Sequence, residues 1–407
     1  MQHGTGRGAS RRAVFAAFAG YGLDGFDFMI YSFAVPALLA SLHLTTAEAG
    51  AVAGAALASS AVGGFVCGVL ADRYGRVRML QWTVAWFAVF TCASGFAHSF
   101  EQLLIARTLQ GFGFGGEWAV GAVLVAETVA ARHRGRATGL VQSGWAVGWA
   151  LAAIAFWAAN ATLPSALAWR VLFWAGIAPA LLILYLRGRV AETLAIVAPT
   201  RGRAVQIFQR PLRATTLRAS LMCTGMMGAY YAVTTWLPTY LGRVRHLSVL
   251  HTASYLLVLI AGSFAGYLAG AWLSDRLGRR RSVAGFAVCG ATLVLVYMRM
   301  PITNTAMLVL GFPLGFFMSG IFAGMGAYLA ELYPAGVRGS GQGFCYNFGR
   351  AAGALGPAYV GRQVALGPAI GAVAAGAYAL VVLAVWALPE TAGRELADRS
   401  SGAQKLR

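Results

Sequence analysis

The chain has 407 residues, of which 58% are apolar and only 11% charged, whereas about 25% of residues are charged in an ordinary soluble domain. That composition excludes a water-soluble globular fold. The formal charge of +19 invites a nucleic-acid partner, but the basic residues are scattered between apolar runs and build no basic face on a soluble module, so that partner is excluded too.

In chain order the apolar residues fall into twelve runs of about 20, each long enough to cross a ~30 Å hydrocarbon core. The predicted spans are 14–40, 48–70, 79–97, 101–126, 137–159 and 166–186, then 216–240, 251–273, 283–300, 303–329, 340–361 and 366–388. The expected fold is an all-α membrane protein with twelve transmembrane helices in two pseudo-symmetric six-helix bundles. Residues 1–186 and 216–389 are expected to form the bundles, 187–215 a cytoplasmic linker rich in arginine, and 390–407 a cytoplasmic tail. The basic lead into span one reads as an uncleaved anchor. With both termini inside, the cytoplasmic segments hold 25 of the 32 Lys and Arg residues, which sets the orientation.

Span one holds two acids. Asp24 lies about ten residues into it, near mid-membrane at about 1.5 Å per residue. Asp27 follows on the same helix face. A central Asp is unfavourable by about 2.5–3.5 kcal/mol on insertion scales, and two neighbouring ones repel. A proton held by one relieves both effects, so Asp24 and Asp27 are candidate proton carriers. A fixed partner on a neighbouring helix is the alternative for each.

The turn after span two reads Gly68-Val69-Leu70-Ala71-Asp72-Arg73-Tyr74-Gly75-Arg76. It recurs about 204 residues later as Ala271-Trp272-Leu273-Ser274-Asp275-Arg276-Leu277-Gly278-Arg279. Glu127 with Arg134-Gly135 recurs as Glu331 with Arg338-Gly339. The two halves are therefore repeats of one design, as in membrane transporters. Asp72, Arg73, Arg76, Glu127 and Arg134, with Asp275, Arg276, Arg279, Glu331 and Arg338, are the candidate cytoplasmic gate. Such helix-end charges pair in one state and part in another. Plain solvated turns are the bland alternative.

Span four carries Arg107 in the run Arg107-Thr108-Leu109-Gln110-Gly111, and Glu117 beyond the midplane as a third candidate proton site. Span eleven carries Arg350 near mid-depth. A guanidinium keeps its charge at any relevant pH, so Arg350 needs a permanent partner or a transient anion. A substrate carboxylate fits its fork, and a fixed ion pair across the halves is the alternative. Tyr346 and Asn347, about one turn earlier, reach the same face. Tyr31, Gln142, Trp145, Tyr230 and Tyr231 complete the candidate substrate set; as a group they bracket a flat or apolar acid, while each alone reads as packing. Glycines concentrate inside spans, where they let helices approach closely. Cys67, Cys92, Cys223, Cys289 and Cys345 lie in apolar spans without metal or redox spacing. No phosphate loop or nucleophile–base pair stands out, which disfavours ATP-driven and enzymatic readings.

The duplicated turns, the Arg107 run and the twelve-span plan resemble the major facilitator superfamily along nearly the whole chain. Leu23-Asp24-Gly25-Phe26-Asp27-Phe28, Gly115-Gly116-Glu117-Trp118 and Tyr346-Asn347-Phe348-Gly349-Arg350 resemble its proton-coupled organic-acid symporters, notably the sialate and aromatic-acid branches. Ala271 departs from the glycine usual in the repeated turn. The proline-rich fifth-span motif of drug antiporters is missing, since 139–153 contains no Pro. The resemblance implies a non-enzymatic secondary transporter of the bacterial inner membrane. It would import a small organic-acid anion (an aromatic acid, a short monocarboxylate or a sialate-like acid) by proton symport with alternating access. It further implies a role for Arg107 in proton transfer, with a structural buried pair as the equal alternative. The proton gradient would supply the energy with no cofactor. The chain is expected to work as a monomer in the bilayer. The rivals are a proton-coupled exporter of a drug or metabolite and a non-transporting membrane sensor, the latter weakened by the lack of a signalling domain.

Overall fold

The computed structural model describes residues 4–74, 76–128, 134–177, 181, 204–334 and 337–392. Most of the expected linker and the tail from 393 lie outside the described residues. The first half comprises α1 (Gly4–Ser41), α2 (Thr46–Tyr74), α3 (Arg76–Ser94), α4 (Phe100–Thr128), α5 (Arg134–Thr162) and α6 (Ser165–Ala175). A 3-10 turn at Ala204–Phe208 leads into the second half. That half comprises α7 (Arg213–Thr239), α8 (Val249–Leu277), α9 (Arg279–Arg299), α10 (Asn304–Gly320), α11 (Met325–Glu331), α12 (Arg338–Gly353), α13 (Leu355–Gly361) and α14 (Leu366–Trp386). Among the described residues, seven helical stretches are long and apolar enough to cross a membrane. α7 and α12 are not among them: α7 is long enough but its Thr, Tyr, Ser and Gly residues make it less apolar, and α12, broken off before Ala354, is only 16 residues long.

Local chemistry explains where helices start and break. At the end of the bundle away from the repeated turns, α2, α8 and α10 open on side-chain caps. The Thr45 N–H donates to Glu48 Oε2 at 2.7 Å, and the Glu48 N–H donates back to Thr45 Oγ1 at 3.1 Å. Ser248 and Thr303 accept the N–H groups of His251 and Ala306 at 3.3 and 3.2 Å. These bonds satisfy first-turn donors that have no partner inside the helix. Span eleven divides into α12 and α13 at Ala354. Pro357 has no N–H to give the carbonyl of Gly353, so the ladder lapses there. Span ten is interrupted between Gly320 and Met325, separating α10 from α11.

The repeat is visible in the packing. α1 lies along α5 and α2 along α4; correspondingly α7 lies along α12 and α8 along α10. Gly111 of α4 meets the carbonyl of Ala56, and Gly315 of α10 meets that of Leu259, so closely that neither site has room for a Cβ. These two glycines stand 204 residues apart, the offset that separates Glu127 from Glu331 and Arg134 from Arg338.

The first helix of each half is central. Apart from half-buried Phe28, residues 23–35 of α1 are buried, as are 225–239 of α7. A helix buried on every side in a membrane bundle lies at its middle. The halves meet at both ends. Gly50 and Gly54 of α2 lie against Ala354, Pro357 and Ala358, and Gly139 of α5 lies against Tyr267 and Ala271 of α8. Between these contacts the centre is enclosed.

Candidate functional site

Asp27 is 1% exposed, and its carboxylate is held entirely within the first half. The Thr91 hydroxyl of α3 donates to Oδ1, and the Gln110 amide of α4 donates to Oδ2. Arg107 Nη1 stands 3.6 Å from Oδ2. Arg107 and Gln110 are one turn apart on α4, so both side chains reach α1. The Arg107 guanidinium also covers the rings of Tyr31 and Phe173, 5.1 and 5.6 Å from their centroids. Tyr31 is fixed in turn by its hydroxyl, which donates to the Ala49 carbonyl at 2.6 Å. A cavity lined by Phe28, Tyr31, Arg107, Gln110 and Phe114 adjoins the pair. It has room for about one water molecule.

Arg350 forms the second centre. It is 1% exposed, and its Nη2 donates to the Tyr346 hydroxyl at 2.9 Å. Its guanidinium lies 4.8 Å from the ring centroids of both Phe114 and Tyr346, between α4 of the first half and its own helix. Asp24, Tyr21 and Tyr231 lie within its electrostatic reach. Asp27, one turn from Asp24 on α1, is paired with Arg107 of its own half, while Asp24 lies within the electrostatic reach of Arg350 of the other.

Aromatic rings close the space around Arg350. Trp145 of α5 donates its Nε1 hydrogen to the Tyr230 hydroxyl of α7 at 2.6 Å, across the two halves. Its ring meets Tyr21, Phe28 and Phe114 at centroid distances of 5.3, 5.8 and 6.2 Å. Phe28 meets Tyr231 at 5.2 Å, again across the halves. Such a chamber offers π-faces on several sides and one cation at its edge.

The remaining candidates fall elsewhere. Asn347 donates to the Gly343 carbonyl at 3.0 Å and lies against Gly64 of α2, apart from the partners of Arg350. Gln142 is buried on α5, one turn before Trp145. The side chains of Glu117, Asp72, Arg73, Arg76, Glu127 and Arg134 lie outside those described.

The second repeated turn is fully described. Arg279 Nη1 pairs with Asp275 at 2.6 Å, and its Nη2 pairs with Glu331 at 2.9 Å. Arg338 donates to the Ala330 carbonyl at 2.9 Å, and Arg276 stacks on the exposed Trp272 ring at 4.3 Å.

Sequence reasoning passed over several participants. Gln110 stood inside the quoted Arg107 run, three residues on, which was signal enough. Thr91, Tyr21 and Phe114 carried no local signal. Glu390, read as the start of a polar tail, is bound onto the turn. Its Oε1 and Oε2 accept the N–H groups of Arg279 and Arg280 at 2.9 and 3.0 Å, and Thr391 Oγ1 donates to Glu331 at 2.6 Å. Burial pushes the Glu390 carboxyl up, but the N–H groups of Ala392, Arg280, Arg279 and Thr391 outweigh this and hold it below the usual range. Among the described residues no cluster of His, Cys, Asp and Glu is fit to hold a metal.

Comparison with known proteins places this geometry. The family model described as Major Facilitator Superfamily matches residues 17–357 and 262–406. The chain is 41% identical to a probable 4-methylmuconolactone transporter of Cupriavidus pinatubonensis, covering 96% of this chain and 92% of that one. It is 30% identical to a cis,cis-muconate transport protein of Acinetobacter baylyi over 86% of both. Among solved structures it superimposes on the proton:xylose symporter XylE with a TM-score of 0.75 at 18% identity, covering 96% of this chain and 98% of that one. The repeated turns, the paired bundles and a family match over most of its length agree: the chain belongs to the Major Facilitator Superfamily and has its fold.

Proposed function

We propose that the chain imports a flat, unsaturated organic-acid anion together with protons across the bacterial inner membrane, with both termini and the charged turns on the cytoplasmic side. One observation carries the reading. A buried arginine of the second half, Arg350, sits in an aromatic chamber built by both halves, beside a central helix whose Asp27 is paired with an arginine of the first half. A substrate carboxylate takes the free edge of the Arg350 fork, while its planar body lies among Phe28, Phe114, Trp145 and Tyr231. Two carboxylates, the substrate's and that of Asp24, then compete for one guanidinium, and a proton relieves the conflict. Asp27 is the coupled-proton site. Ionised, it holds Arg107 and ties α1 to α4; protonated, it releases that tie so the halves can rock. The names of the similar transporters, for 4-methylmuconolactone and cis,cis-muconate, point to the same substrate class.

The test is uptake into proteoliposomes with an imposed proton gradient. The panel contains cis,cis-muconate, benzoate, short monocarboxylates, sialic acid and benzamide. The expected result is proton-driven accumulation of the flat unsaturated acids, lost on adding a protonophore. Failure of every acid to accumulate, or equal uptake of benzamide and benzoate, overturns the reading.

A further inference from the structure

Positive charge is normally depleted on the outer side of a membrane protein. In the orientation proposed above, the outer end of the second half nonetheless carries Arg243, Arg245, Arg299 and Arg362. No acid accompanies them: Asp275 and Glu331, the acids of that half, both sit at the repeated turn. The outer end of the first half is the opposite, with Glu48 and Glu101 against Arg170. Two of these arginines have structural tasks. Arg245 binds the Ile302 carbonyl and Asn304 Oδ1 at 2.8 and 2.7 Å, and Arg170 binds the carbonyls of Gly95 and Ala97 at 2.8 and 2.9 Å.

Arg243, Arg299 and Arg362 are exposed. Arg299 lies against α14, donating to the Pro368 carbonyl at 3.5 Å and flanking Gly371. Arg243 and Arg362 make no hydrogen bond or ion pair among the described residues. Their positions matter. Arg362 follows Gly361, which lies directly against Thr46 and Gly50 of α2. It therefore stands on the line along which the halves must part to admit a solute. Arg243 lies in the helical turn Tyr240–Val244 that continues α7, the helix of Tyr230, Tyr231 and Trp236; Trp236 donates to the Pro357 carbonyl of α13 at 3.0 Å. Arg362 and the buried Arg350 mark the outer end and the middle of one span, about 18 Å apart at the helical rise.

We infer that Arg243 and Arg362 form a cationic rim that collects the anionic substrate at the outer mouth and passes it toward Arg350. The inference rests on the reading of the chain as an importer of anions. A rim of this kind raises the local concentration of anions without gripping them, so it acts on capture and not on turnover. Unit charges about 10 Å apart in water change encounter by about twofold per arginine for a monoanion, and by the square of that for a dianion. Screening by 0.15 M salt, with a Debye length of about 8 Å, removes most of the effect.

The experiment measures initial uptake of benzoate and cis,cis-muconate by proteoliposomes at low and high external salt. The variants are Arg243→Gln with Arg362→Gln, and Arg243→Lys with Arg362→Lys. At low salt the double Gln variant should raise KM about fourfold for benzoate and clearly more for muconate, with kcat unchanged. The difference should close at high salt, and the Lys pair should match wild type. An unchanged KM at low salt, or a rise that ignores both salt and substrate charge, overturns the rim while leaving the proposed function standing. Absence of anion uptake by wild type overturns both.

Discussion

Asp24 and Asp27 are three positions apart on α1, and the proposed function gives them different roles: Asp27 is paired with Arg107, and Asp24 lies within the electrostatic reach of Arg350. Asp27→Asn should abolish uphill uptake while preserving exchange of substrate across the membrane, since the amide imitates the protonated acid. Counterflow and gradient-driven uptake in the same proteoliposomes separate the two; accumulation at the wild-type level would remove Asp27 from the coupling step. Asp24→Asn should act on binding. In the proposed function ionised Asp24 competes with the substrate for Arg350, so wild-type affinity for benzoate should improve as pH falls and Asp24 takes a proton. In the Asn variant that dependence should flatten, and a wild-type pH profile would show that Asp24 does not gate the site. For Arg350, Lys keeps the charge but loses the fork, and Ala loses both. Equilibrium binding should weaken in that order, with Ala losing about 2–5 kcal/mol if a desolvated charge partner is left behind. Undiminished benzoate binding by Arg350→Ala would make the guanidinium purely structural.

At the scale of elements, the turn between α8 and α9 shows how a short motif becomes a joint. Gly278 adopts φ 89° and offers no capping side chain to α9. Glu390 supplies that cap from beyond α14, against the N–H groups of Arg279 and Arg280. A carboxylate at a helix N-terminus is favoured by the unpaired donors and the helix dipole. Glu390→Ala should therefore lower stability by about 0.5–2 kcal/mol at pH 7. The pH dependence has a definite sign. The folded carboxyl titrates below its unfolded value, so its contribution is complete above the unfolded pKa of about 4.3 and disappears as pH falls through the folded one. Thermal unfolding in detergent should show the variant and wild type converging in acid. A gap that persists below the folded pKa would point to lost packing instead.

Across the whole molecule, the halves touch at both ends around a filled centre, and transport requires one of these contacts to open at a time. A Cβ added to Gly54 of α2 would stand 3.2 Å from the Cβ of Ala358 in α13, close to the spacing of a disulfide. With the five native cysteines replaced, oxidation of the Gly54→Cys, Ala358→Cys pair should stop uptake, and a reductant should restore it. Continued uptake with the bond fully formed would mean that this end does not open during the cycle.

The sequence by itself determined the class of molecule: apolar runs long enough to cross a bilayer, two copies of one charged turn, and an arginine deep in span eleven that demands an anion. These are properties that add up along the chain, so they are readable without coordinates. It could not assign partners. Asp24 and Asp27 share one helix face, and which arginine each meets depends on where α4 and α12 stand around α1, helices separated by more than 200 residues in sequence. The same limit hid Thr91 from Asp27, Phe114 from Arg350 and Glu390 from the second turn. Only the tertiary structure brought these groups together, because a buried charge takes its partner from whatever the packing of distant helices places beside it.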